Sequence, residues 1–296
     1  MPRISSSSRL RNQIAAYSAA AAIGCTVAAL WPAAAAEHAS VPDFAPDSST
    51  GWIAVGQEFI PPPSGPGPVT ADPAHKAKPG GQPIFRVADL SNPILQPWAR
   101  EELRKANARA LSGKAAYTPK ERCWPIGVPG FLLYPVFPVY FLQTPKEVVM
   151  IWAEDHQVRH VYLNQQHSAR PAPSWFGESV GRYDGDTLVV DTVGMNERTF
   201  VDNYRTPHTD KLHVTERFRT IDGGKTMEVK VHVEDPGAFT TPWDAIQRYR
   251  RIDAGGDKTD PRVPRGPLEE MACAENNGDR FNEGLDPIPQ ADKPDF

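Results

Sequence analysis

The sequence predicts a mainly β protein, an antiparallel lipocalin-like barrel or strongly curved sheet with one N-terminal helix; a two-sheet β-sandwich is the alternative. Three observations lead there. Residues 136–252 carry repeated β-branched, alternating runs with no helical stretch between them. The segment Asp222-Gly223-Gly224 is a strong hairpin signal between two such runs. A flat open sheet of this many strands would leave adhesive edges, so the sheet has reason to close or curl.

Taken in chain order, the N-terminus comes first. Arg3, Arg9 and Arg11 precede an alanine-rich apolar run from Ile14 to Trp31, followed by Pro32 and Ala33 to Ala36. This is the order of a basic region, an apolar region and a small-residue cleavage site, most simply cut after Ala36, and it directs the chain to the periplasm or beyond. A retained anchor and lipid attachment at Cys25 are the alternatives; alanine's small transfer free energy argues against the first, and the apolar residues continuing to Leu30 against the second. With the signal cleaved, no stable membrane span is expected.

Residues 37–92 read as an extended arm: from Val41 to Pro83 the text is dominated by Pro, Gly, Ser and Ala, and no secondary structure is assigned there. Residues 93–276 form the single expected domain and 277–296 a tail. Pro97 to Leu111 is rich in helix formers, opens with proline at the first helical position and ends near Gly113. Strands are expected over Lys146–Ala153, Val158–Leu163, Thr187–Val193, Leu212–Ile221, Thr226–Val233 and Gln247–Ile252.

Composition narrows the function classes. The net charge is −4, with acidic and basic residues interspersed and no basic block after the signal, which disfavours nucleic acid as a partner. The 31 prolines require long extended stretches. Cys123 and Cys273 are the two cysteines left after cleavage, and an oxidising compartment favours a bridge between them. Closing a loop of about 150 residues would contribute roughly 4–5 kcal/mol in the chain-entropy account. No nucleophile elbow, P-loop, dinucleotide fingerprint, H-E-x-x-H or haem-attachment motif is present, so no cofactor is expected.

A set of motifs carries a resemblance. Gly181-Arg182-Tyr183-Asp184-Gly185-Asp186-Thr187-Leu188-Val189-Val190-Asp191-Thr192, Pro207-His208-Thr209, Leu212-His213-Val214-Thr215-Glu216-Arg217-Phe218, Glu234-Asp235-Pro236 and Pro242-Trp243 resemble a family of exported bacterial proteins that carry no assigned activity. The resemblance extends to Cys123-Trp124-Pro125-Ile126-Gly127-Val128-Pro129, Gln143-Thr144-Pro145 and Cys273-Ala274-Glu275-Asn276. It implies a domain richer in His, Glu, Asp and Arg than a purely structural barrel requires.

Strand alternation locates candidate chemistry. Leu212, Val214, Glu216 and Phe218 share one face, so Glu216 is a lone carboxylate in apolar company. If that face lines the barrel, Glu216 is either paired with an arginine such as Arg159 or Arg182 or shifted towards the neutral form and usable as an acid or base. Asp191 is a second such carboxylate, and the two could form an acid–base pair if their strands adjoin. His213 and Glu216 have opposite parity and cannot share a metal, so no metal site is assigned; His208 precedes the strand and could fold back towards either. Glu216, Asp191, His208 and His213 are therefore the catalytic candidates. Arg182, Arg159, Tyr162, His167, Trp175 and Trp243 are the ligand-binding ones, the aromatic residues also being candidates for core packing.

Two functions follow. The first is a periplasmic barrel holding a small, largely hydrophobic molecule in an interior pocket. The alternative is a cofactor-independent lyase, isomerase or hydrolase in which Glu216 or Asp191 works beside a histidine and an arginine.

Overall fold

A computed structural model describes residues 41–47, 50–76, 83–133, 137–153, 155 and 157–252. Nine strands close a barrel in sequence order. They are β1 (Gly51–Ala54), β2 (Val139–Gln143), β3 (Glu147–Trp152), β4 (Gln157–Leu163), β5 (Glu178–Asp184), β6 (Thr187–Val193), β7 (His213–Ile221), β8 (Thr226–Glu234) and β9 (Trp243–Ile252). The single α-helix among the described residues, α1 (Pro97–Leu111), starts on its proline and is followed by Gly113 at φ +78°, a left-handed exit that glycine allows without strain. Its buried residues Ala99, Leu103 and Asn107 recur every fourth position, one stripe of the helix surface.

Alternation fixes the inside of the sheet. Val214, Glu216 and Phe218 of β7 are buried, as are Leu188, Val190 and Thr192 opposite them on β6 and Val229, Val231 and Val233 on β8. The β7–β8 hairpin turns through Asp222, Gly223 and Gly224, all at positive φ, which explains why the turn is glycine-rich.

Strands β2 and β5 were not among the six expected, and two further features depart from the sequence reading. The segment Val41–Pro83, given no secondary structure above, supplies β1, which pairs with β9 along its full length and with β2 through Trp52 and Val139. Four residues inside a Pro/Gly-rich text are too few to show a period, and their hydrogen bonds come from strands far along the chain. The second departure is β4 and β5, which run parallel, joined only through Val161–Ser179, Tyr162–Val180 and Leu163–Gly181. The intervening crossover, 164–177, contains no strand to announce it.

The chain itself fills the part of the barrel in front of Arg159. The buried 3-10 turn Gly130–Leu133 meets inward-facing side chains of β9: the Leu132 carbonyl accepts from Tyr249 Oη at 2.7 Å and from Gln247 Nε2 at 3.1 Å. Its Phe131 ring lies 5.9 Å from the Arg159 guanidinium carbon. Elsewhere in the core Phe44, Phe141 and Phe218 pack as an aromatic cluster with centroids 5.0–6.5 Å apart.

Candidate functional site

Three polar groupings involve the residues singled out in the sequence: one inside the barrel, one across its outer face, and one at the parallel seam. Inside, Arg159 of β4 and Glu216 of β7 have no exposed side-chain surface. Arg159 Nη1 donates to Glu216 Oε1 at 3.0 Å, and Nη2 donates to Glu216 Oε2 and to Thr192 Oγ1. Arg159 Nε donates to Ser179 Oγ at 3.2 Å, and the two hydroxyls, Ser179 and Thr192, are 2.9 Å apart. A carboxylate on an apolar face must be paired or neutralised, and here a fork-to-fork arginine pairs it. Arg182, the other partner expected for Glu216, is exposed on the outer face instead.

Asp191 cannot join Glu216. Its register partner is Thr215, while Glu216 faces Val190, so the two carboxylates point to opposite sides of adjoining strands. On the outer face Asp191 lies between two histidines: Oδ1 meets His167 Nε2 at 2.7 Å and Oδ2 meets His213 Nε2 at 2.9 Å. The chain continues both ways, from His167 Nδ1 to Glu178 at 3.1 Å and from His213 Nδ1 to Glu234 at 3.2 Å. Glu234 also contacts His232, which reaches Asp244 at 2.8 Å. Imidazole and carboxylate thus alternate from β5 to β9. The hydrogen bond from His213 holds the Asp191 carboxyl down at about 2, and the same bond raises His213. Burial works against charge on His232, but Asp244 and Glu234 outweigh it and raise that group too.

The sign of the pH dependence follows. A depressed Asp191 contributes stability above its unfolded value of 3.8, lost as pH falls towards about 2; a raised His213 contributes below its unfolded 6.5, lost as pH rises through its folded value. Asp191→Asn is therefore expected to lower the melting temperature most near pH 5, with the two curves drawing together as pH falls towards about 2 and again as pH rises through the folded His213 value. Thermal denaturation across that range checks this, and a separation independent of pH would refute the coupling.

The seam between β4 and β5 opens into a groove of about 520 Å³. With only three paired positions, the first half of β4 has no strand beside it on that edge. The opening is lined by Val158, His160 and Tyr162 from the outer face of β4, by Ser174, Trp175, Phe176 and Gly177 before β5, and by Pro125, Asp155, Gln157 and Ser179. Trp175 stands 5.6 Å from Trp124, and Phe176 packs edge-on against Phe131 at 6.0 Å, so the aromatic wall is braced from behind. His160 stacks on Tyr162 at 6.2 Å. Ser179 is both groove lining and hydrogen-bond partner of Arg159, which ties the groove to the buried ion pair.

The structure therefore brings Tyr162 and Trp175 together at one opening, and His167, Asp191 and His213 together on the outer face. It separates the rest. Trp243 is buried in the core against Phe59 and Phe239, and His208 is buried with Nε2 2.8 Å from Thr199 Oγ1, burial lowering its pKa. Asp155, Gln157, His160, Phe176 and Ser179 did not emerge from the sequence; the adjoining Trp175-Phe176 pair was the available signal, but the seam that gathers them is parallel. Cys273 lies outside the described residues, as do the cleavage segment and Cys25. Among the described residues no three His, Cys, Asp or Glu side chains are gathered so as to hold a metal ion, and no helix is long and apolar enough to cross a membrane. Comparison with protein-family models, curated proteins and solved structures gives no match.

Proposed function

We propose that this chain is an exported binding protein whose β-barrel holds a small, largely hydrophobic molecule in the groove at the β4–β5 seam. The observation that carries this reading is the groove itself: about 520 Å³ lined by Tyr162, Trp175 and Phe176 together with polar groups such as Gln157 and Ser179. That is the composition of a small-molecule site, apolar walls with sparse orienting polar atoms. The groove replaces the interior as the proposed pocket, because the Gly130–Leu133 turn occupies the space in front of Arg159. It also replaces the reading of Glu216 as an acid or base, since its carboxylate is sealed and held by Arg159.

The test is titration of the protein with a panel of small aromatic compounds, followed by tryptophan fluorescence and calorimetry. Trp175→Ala is expected to weaken the best binder at least about tenfold, the scale of a central aromatic contact. Binding unchanged by Trp175→Ala would remove the groove from the site. Export and the Cys123–Cys273 bridge are part of the same proposal, supported by the N-terminal pattern and the cysteine count. Mass spectrometry of the exported, non-reduced protein is expected to find a chain starting at Glu37 and no alkylated cysteine; an intact N-terminus or two alkylated thiols would overturn them.

A further inference from the structure

Resting on the binding reading above, we propose that the groove is selective for organic cations: an amine or quaternary ammonium group carried on an apolar body. Asp155 supplies the first argument. It is a lining carboxylate held at positive φ (58°) at the start of the groove, and it forms no ion pair or hydrogen bond among the described residues. Among the described residues, the rest of the lining includes neither lysine nor arginine to neutralise that charge. The neighbouring cation in sequence, Arg159, points to the other side of β4 and is consumed by Glu216. Of the described lining residues, His160 is the one that can carry positive charge, and it already has Glu147 at 3.2 Å.

The aromatic residues supply the second argument. Faces of Trp and Tyr attract cations through their quadrupole, most strongly where water is partly excluded. This cluster already shows that preference, because the Arg122 guanidinium carbon lies 5.2 Å from the ring centre of Trp124, which packs on Trp175. An anionic ligand would meet an uncompensated carboxylate and the negative faces of these rings. A cationic head against Asp155, with its body along Tyr162, Trp175 and Phe176, satisfies both.

The experiment compares three benzyl compounds of different charge on the full chain: benzyltrimethylammonium, benzyl alcohol and phenylacetate, titrated by calorimetry and tryptophan fluorescence at neutral pH. The cation is expected to bind at least about tenfold more tightly than either counterpart. Asp155→Asn is expected to abolish that preference, bringing the affinities for the cation and benzyl alcohol together, while leaving the far-ultraviolet circular dichroism unchanged. Equal or tighter binding of the alcohol or the acid, still weakened by Trp175→Ala, overturns the cation selectivity and leaves the groove as a binding site. A preference for the cation that survives Asp155→Asn also overturns it. Binding of none of the three overturns the proposal outright, while the wider compound panel separately decides whether the groove binds anything.

Discussion

Replacing Arg159 by methionine is expected to destabilise the barrel by about 3–5 kcal/mol, because it leaves the fully buried Glu216 carboxylate without its counter-charge. Set against a domain's net stability of about 5–15 kcal/mol, that is a substantial share for one change. The contrast with the double variant Arg159→Met/Glu216→Leu makes the cause testable. Removing both charges removes the desolvation penalty together with the attraction, so the double variant is expected to lie within about 1–2 kcal/mol of wild type or above it. Urea unfolding followed by circular dichroism measures both. A mild single variant, or a double variant as damaged as the single, would show that the pair is not what stabilises this part of the interior. Ser179 adds a functional readout, since it bonds Arg159 and lines the groove: loss of the arginine should also weaken ligand binding there.

The second large effect is expected at Trp52. Its side chain is 1% exposed, its indole donates to the Phe44 carbonyl at 2.8 Å, and its backbone makes the junction between β1 and β2. Trp52→Ala is expected to cost about 3–5 kcal/mol through the cavity it leaves. The consequence should exceed lost stability. Without β1, strands β2 and β9 become free edges, and unpaired edges template association. Size-exclusion chromatography at rising concentration is therefore expected to show more self-association for Trp52→Ala than for wild type. A variant that is merely less stable, with no tendency to associate, would mean that β1 contributes packing but does not guard the edges.

What was legible in the sequence was local. The period of two in Leu212–Arg219 assigned Glu216 and Phe218 to one face and Arg217 to the other, and the barrel preserves that division. Helix α1 was legible from Pro97 and its helix formers, and the β7–β8 hairpin from its glycines. The illegible features depend on partners distant in sequence. Alternation could place Asp191 with Val189 and Val193, but only the register against β7 shows that this side is outward, where His167 and His213 wait for it. Strand β5 was read as motif and turn because Gly181 and the Asp184–Asp186 turn interrupt its pattern. The groove was hidden for the same reason as the parallel seam: no residue in 164–177 marks a crossover, and the opening exists only because β4 and β5 meet over three positions.

Closure by β1 has a consequence for how the protein is made. Of the barrel's strands, the first to leave the ribosome, and any translocation pore, must wait for the ninth, since Gly51–Ala54 pairs with Tyr249–Ile252. Hairpins β2–β3, β5–β6 and β7–β8 can form as they emerge, from contacts between neighbours in the chain. The ring itself cannot be sealed before synthesis of the domain is complete. Until then the chain remains an open sheet with its N-terminal segment unattached, a state loose enough to be threaded through a membrane and one that becomes committed only after the last stave has arrived.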